Sequence, residues 1–82
     1  MPTPEVIDRV RALHDQLENE RHPSLKPVRP QLRQIVDEPH EPAHYHSLSD
    51  RLQAAYETLE LEHPTLAAAV QATMNALNAA GI

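Results

Sequence analysis

Prolines are the feature that most constrains how this 82-residue chain can fold, because eight of them interrupt it. Proline removes a backbone donor and clashes with the preceding helical turn, so it is tolerated in the first turn of a helix but not in its interior. Prolines at positions 23, 27, 30, 39, 42 and 64 therefore predict several short helices. With one glycine and no cysteine, residues 1–82 are predicted to form a single small domain without disulfides, and the length excludes a multidomain enzyme.

The first helix is predicted over about residues 4–20. Thr3, Pro4 and Glu5 are typical of a helix start, since they supply a capping hydroxyl, a proline at the first position and an acid near the positive end of the helix dipole. Apolar residues then recur at helical spacing and form one stripe, which consists of Val6, Val10, Leu13 and Leu17.

Two further helices are predicted on either side of a polar loop. A short second helix covers about residues 28–37, and the loop covers residues 38–46, which contain two prolines and three histidines. Ser47 with Asp50 three residues later resembles a capping box and begins a third helix over about residues 48–62. Its apolar stripe is Leu48, Leu52, Ala55 and Leu59.

The last segment carries no charged side chain from Pro64 to Ile82. His63 and Pro64 predict the start of a fourth helix over about residues 64–80, and Gly81 is placed as its C-terminal cap. A helix without a charged face is expected to be contacted on more than one side. We expect a second copy of the chain to cover it, through an interface formed by Leu66, Val70, Ala72, Met74 and Leu77.

The inventory of large apolar side chains supports the same expectation, because the chain has no Phe or Trp and only two tyrosines. Short chains without disulfides commonly gain stability by association. The predicted fold is all-α, with three to four short helices in helical hairpins, completed as a bundle by homodimerisation.

The C-terminal pattern resembles a known family. Residues 62–66 read Glu-His-Pro-Thr-Leu, an alanine-rich helix follows, and the chain ends Leu77, Asn78, two alanines, Gly81 and Ile82. This resembles the bacterial DUF4404 family, a domain of unknown function, mainly over the C-terminal third. The resemblance implies a short, all-helical protein and assigns no functional residue, while the prolines at 27 and 30 and the histidine-rich loop are departures from the pattern.

Chemistry could reside in the loop, where His40, His44 and His46 lie beside three acidic residues. Imidazole and carboxylate together suit zinc, nickel or copper. Pro39 and Pro42 prevent a helix that would place His40 and His44 on one face, so a solvated loop is the preferred interpretation. A small metal-binding or metal-responsive protein is the alternative, and no cofactor or metal ligand is predicted outright.

The net charge and the absence of known motifs argue against several classes of function. Twelve acidic against seven basic residues give a formal charge of −5, which argues against nucleic acid as a partner. The sequence lacks a secretory leader pattern and a membrane-spanning segment, so we expect a cytoplasmic protein. Without a phosphate-binding loop or a nucleophile motif, we do not expect an enzyme. The predicted function is protein interaction or self-assembly. The predicted partner is a second copy of the chain, and another protein is a further option.

Overall fold

The computed structural model describes residues 3–82. All regular secondary structure in that range is helical, which confirms the predicted all-α fold. The four α-helices are α1 (Pro4–Leu17), α2 (Arg29–Asp37), α3 (Leu48–Glu62) and α4 (Pro64–Ala79). A first 3₁₀ turn, Pro23–Leu25, precedes α2, and a second 3₁₀ turn, Pro42–Tyr45, precedes α3. None of the helices described is long and apolar enough to cross a lipid bilayer.

The helices pack as two hairpins that share one core. Helix α3 packs along α4 and α1 packs along α2, as the sequence predicts, and α4 also packs against α1. Every helix and both 3₁₀ turns contribute buried side chains. The largest of those that are buried almost completely are Leu17, Leu25, Leu32, Ile35, Leu48, Leu52, Leu59, Leu66 and Leu77.

Helix α1 begins as predicted and ends earlier than predicted. The Thr3 hydroxyl accepts a hydrogen bond from the Val6 amide at 3.2 Å, as expected of an N-cap. The helix ends at Leu17 and not near residue 20. The next turn would place Glu20 and Arg21 on the apolar stripe, where they offer no core contact, and short helices depend on such packing.

The first connection places two side chains in the core before α2 begins. Leu25 comes from the first 3₁₀ turn, and Val28 is the residue just before α2; both are fully buried. Helix α2 therefore starts at Arg29, one residue later than predicted, with Pro30 in its first turn. Burying each of these side chains contributes about 1.5–3 kcal/mol, so this connection is part of the core.

The second connection is more ordered than the predicted loop at residues 38–46. Tyr45 in the second 3₁₀ turn is buried, and its hydroxyl donates a hydrogen bond to the Pro39 carbonyl oxygen at 2.6 Å. The buried Gln31 amide donates to the carbonyl oxygens of His44 and His46, at 3.1 and 2.6 Å. These bonds from α2 hold a segment whose composition alone predicts a solvated loop.

Ser47 does not form the capping box predicted with Asp50. It is the N-cap residue of α3, but its φ of 67° is left-handed and its side chain accepts no capping hydrogen bond. Asp50 is in the first turn, where an acid still interacts favourably with the helix dipole. The left-handed backbone of Ser47 lies just after the second 3₁₀ turn, and α3 begins without a side-chain cap.

Pro64 separates α3 from α4 completely. The backbone of His63, with φ −152° and ψ 76°, leaves the helical region, as expected for a residue before proline. The His63 ring caps α4, since its Nδ1 accepts the Leu66 amide at 3.4 Å. This confirms the predicted role of His63 and makes α3 and α4 two distinct helices.

The chain ends on the predicted glycine cap. Gly81 has a φ of 76°, and its amide donates to the Asn78 carbonyl oxygen at 3.1 Å. The Ile82 amide reaches back to the Leu77 carbonyl oxygen at 3.0 Å, and the Ile82 side chain packs against the core. These two bonds are the pattern of a Schellman cap, which satisfies the last carbonyls of α4.

Candidate interaction surface

The inner face of α4 belongs to the core of the single chain. Leu66, Val70 and Leu77 are at most 1% exposed, and Met74 is 6% exposed. These four were predicted to contact a second copy, but helices α1 and α3 of the same chain already cover them. Of the five predicted interface residues, only Ala72 lies at the surface, where it is half-buried. A contact through α4 must therefore use the opposite side of the helix.

That opposite side is defined here as the α4 outer face. All of its members are exposed or half-buried, and none carries a charge: Pro64, Thr65, Ala68, Gln71, Ala72, Asn75, Asn78 and Ala79. A helix at the surface of a globular protein ordinarily carries charged residues on its solvent side. The α4 outer face departs from this rule over the full length of the helix.

A shallow open groove of about 450 Å³ runs beside the α4 outer face, between α3 and α4. Its walls include Tyr56 and Glu60 from α3, with Ala68 and Ala72 from α4. Hydrogen bonding to the Glu60 carboxylate, and then the charge of that carboxylate, raise the pKa of Tyr56. Tyr56 and Glu60 therefore form a polar pair at the α3 wall of this groove, opposite the alanines of α4.

The polar groups of α4 are partly satisfied within the helix. The Gln71 side-chain amide donates to Asn75 Oδ1 at 3.1 Å, on the outer face. On the inner side, the buried Thr73 hydroxyl donates to the Ala69 carbonyl oxygen at 3.0 Å. The outer face therefore combines small apolar side chains with one local amide pair, and a partner would have to pair with the remaining amide groups.

The three histidines of the second connection are not gathered into one cluster. His44 lies 3.0 Å from Glu38 through its Nε2, whereas His40 and His46 are exposed to solvent. Among residues 3–82, the side chains brought within metal-ligating distance of one another do not include these three. The metal hypothesis for this loop therefore gains no support from its geometry.

One other group of metal-ligand types does come together, on α1 and at its end. The ligand atoms of His14, Asp15 and Glu18 lie within 4.8 Å of one another. Both acids are exposed, and the groove beside them is also lined by Arg29 and Arg33. A cation placed there would meet two positive side chains, so the three groups are better described as polar surface contacts at a helix end.

The sequence model of the DUF4404 family, a domain of unknown function, matches residues 6–82. The chain belongs to the DUF4404 family. The match extends the predicted resemblance from the C-terminal third to essentially the whole chain, so the proline-rich first connection and the histidine-containing second connection both lie within the domain. No curated protein and no solved structure matches this DUF4404 chain.

Sequence reasoning about this DUF4404 chain missed two histidines that join distant segments. His22 lies 2.9 Å from Glu62, and His63 lies 3.7 Å from Glu20. The signal was present as two similar junctions, Glu20-Arg21-His22-Pro23 and Glu62-His63-Pro64. Each places a glutamate and a histidine just before a proline that begins a helical element.

Proposed function

We propose that this DUF4404 protein is a self-assembly module that binds a second copy of itself through the α4 outer face. The single observation that carries the proposal is the absence of charge over that exposed face, from Pro64 to Ala79. The core closes within one chain, so burial inside the domain does not account for an uncharged solvent side.

Electrostatics favour α4 over α1 and α3 as the contact between two copies. Each chain has a formal charge of −5, so two copies repel one another in general. The solvent sides of α1 and α3 carry ionised side chains, among them Asp8 and Arg9 on α1 and Glu57 and Glu60 on α3. Contact through the α4 outer face brings no like charges into direct opposition.

The shape of the α4 outer face also suits a symmetric contact. Ala68, Ala72 and Ala79 lie on one side of the helix and allow two helix backbones to approach closely. A two-fold axis across α4 would place the same patch of both copies in contact, as homodimers require. The groove beside Tyr56 would then receive side chains from the partner's helix.

Sedimentation equilibrium over a range of protein concentrations tests this proposal. We expect a monomer–dimer equilibrium in the wild-type chain, and an association about tenfold weaker or more in Ala68→Glu, because the contact would bury charges without partners. Ala54→Glu is the matched control, since Ala54 is an exposed alanine on α3. A monomer at every concentration, or equal weakening by both variants, would refute the proposal.

The same experiment, repeated with a chelator, tests whether the dimer needs a metal ion. A contact between uncharged helices needs no metal ion, so the dimer should persist in chelator. Loss of the dimer on adding chelator, with recovery on adding zinc, would instead support a metal-organised assembly. Far-ultraviolet circular dichroism of each variant establishes that a lower mass reflects lost contact and not lost fold.

A further inference from the structure

The two histidine–proline junctions share one arrangement. His22 precedes the proline that begins the first 3₁₀ turn, and its Nδ1 accepts the Ser24 amide at 3.2 Å. His63 precedes the proline that begins α4, and its Nδ1 accepts the Leu66 amide at 3.4 Å. In both cases one ring nitrogen caps the helical element that follows.

The second ring nitrogen of each histidine faces the glutamate of the other junction. His22 Nε2 lies 2.9 Å from a carboxylate oxygen of Glu62, the last residue of α3. His63 Nε2 lies 3.7 Å from a carboxylate oxygen of Glu20, which follows α1. The two contacts are reciprocal, and they join the connection after α1 to the turn between α3 and α4.

We propose that these two junctions form a pH-sensitive latch, which holds the start of α4 against the first connection and loosens in acid. Accepting a backbone amide through Nδ1 requires a neutral ring with its proton on Nε2. That proton is then available for the opposite glutamate. Protonation adds a hydrogen to Nδ1, so the ring can no longer accept the amide and the cap is lost.

The surrounding charges decide the direction of the effect. The ionisable groups in contact with the two rings are Glu20 and Glu62, and Arg21 lies between Glu20 and His22 in the chain. Both glutamates attract a protonated ring, but their side chains are 39% and 61% exposed, so water screens the attraction. Protonation also removes two caps and places a positive charge at the N-terminus of α4, and both effects destabilise the folded chain.

In peptides, histidine titrates near pH 6.5 and glutamate near pH 4.3. A comparison of pH 7.5 with pH 5.0 therefore changes the protonation of imidazole far more than that of carboxylate.

The test compares thermal unfolding at pH 7.5 and 5.0 in the wild type and in the double variant His22→Asn, His63→Asn, at one protein concentration. Asparagine caps helices well but takes up no proton. We expect the fall in melting temperature on acidification to be larger in the wild type by about 4–8 °C. His40→Asn, at an exposed histidine of the second connection, should behave as the wild type.

A second measurement does not depend on how the variants fold. Nitrogen-15 NMR of the wild-type histidines should show the proton on Nε2 of both His22 and His63 at pH 7.5. An equal fall in melting temperature in the wild type and the double variant, or a proton on Nδ1 of these two rings, would overturn the latch.

Discussion

Helices α3 and α4 differ on the side that faces solvent and agree on the side that faces the core. They span 15 and 16 residues and are separated only by His63. Each buries an apolar stripe, around Leu52 and Leu59 in α3 and around Val70 and Leu77 in α4. The charged residues on the solvent side of α3 are Asp50, Arg51, Glu57, Glu60 and Glu62, whereas the α4 outer face has none.

The fold requires apolar residues on the inner stripes of α3 and α4, but it does not determine which residues occupy their outer sides. The core constrains only the inner stripe of each helix, because the outer side chains contact mainly water. Charged residues on α3 are therefore compatible with the fold, and they would be equally compatible with it on α4. An uncharged outer face calls for another explanation, and association with a second copy supplies one.

The largest expected effect is on the free energy of unfolding, when a leucine of an inner stripe or of an outer side is replaced by alanine. Leu77 is fully buried in α4, whereas Leu61 of α3 is 85% exposed. Leu77→Ala should lower the free energy of unfolding by about 2–5 kcal/mol, because it removes core contacts and leaves a cavity. Leu61→Ala should change it by about 0.5 kcal/mol or less. Urea unfolding of both variants measures the difference, and similar losses would show that the faces are misassigned.

A smaller effect is expected from salt. If ion pairs between charged side chains held the two copies together, added salt would weaken association. Contact through the α4 outer face leaves only the general repulsion between two chains of charge −5, which salt screens. Association should therefore strengthen as ionic strength rises from about 0.01 to 0.15 M. Light scattering at fixed protein concentration measures the change, and weaker association at higher salt would indicate a contact formed by ion pairs, contrary to the proposal.

The smallest effect concerns the groove between the two helices. Because Glu60 raises the pKa of Tyr56, Glu60→Gln should lower that pKa towards the ordinary value. The protonated phenol is favoured in the folded chain, so its contribution is present below the ordinary pKa and is lost as the pH rises through the folded pKa. Ultraviolet titration in a Tyr45→Phe background isolates Tyr56, and an unchanged titration on removing Glu60 would contradict this geometry.

Local chemistry explains why much of the fold could be predicted from the sequence. The caps at Thr3, His63 and Gly81 depend on residues three or fewer positions away, or on the backbone alone. The inner stripes of α1 and α3 follow from spacing. Ser47 shows the limit of local reasoning, because its backbone is left-handed and its side chain forms no capping hydrogen bond, although the sequence resembles a capping box.

Contacts between distant residues explain what could not be predicted. The order of the second connection depends on Gln31, which reaches carbonyl groups more than a dozen positions away. The expectation that a second chain must complete the core overlooked Leu25, Val28 and Tyr45, which the two connections bury. For α4, the lack of charge predicted contact on more than one side, and only the packing against α1 and α3 distinguishes the inner face from the outer one.

The proposed contact between copies is the α4 outer face and not the outer side of α3. A dilution series of proton–nitrogen NMR spectra of the wild-type chain locates the contact directly. Association through the α4 outer face should give concentration-dependent amide shifts at Ala68, Ala72, Asn75 and Ala79, with Ala54 and Leu61 unchanged. Spectra that do not change with concentration, or shifts centred on α3, would contradict it.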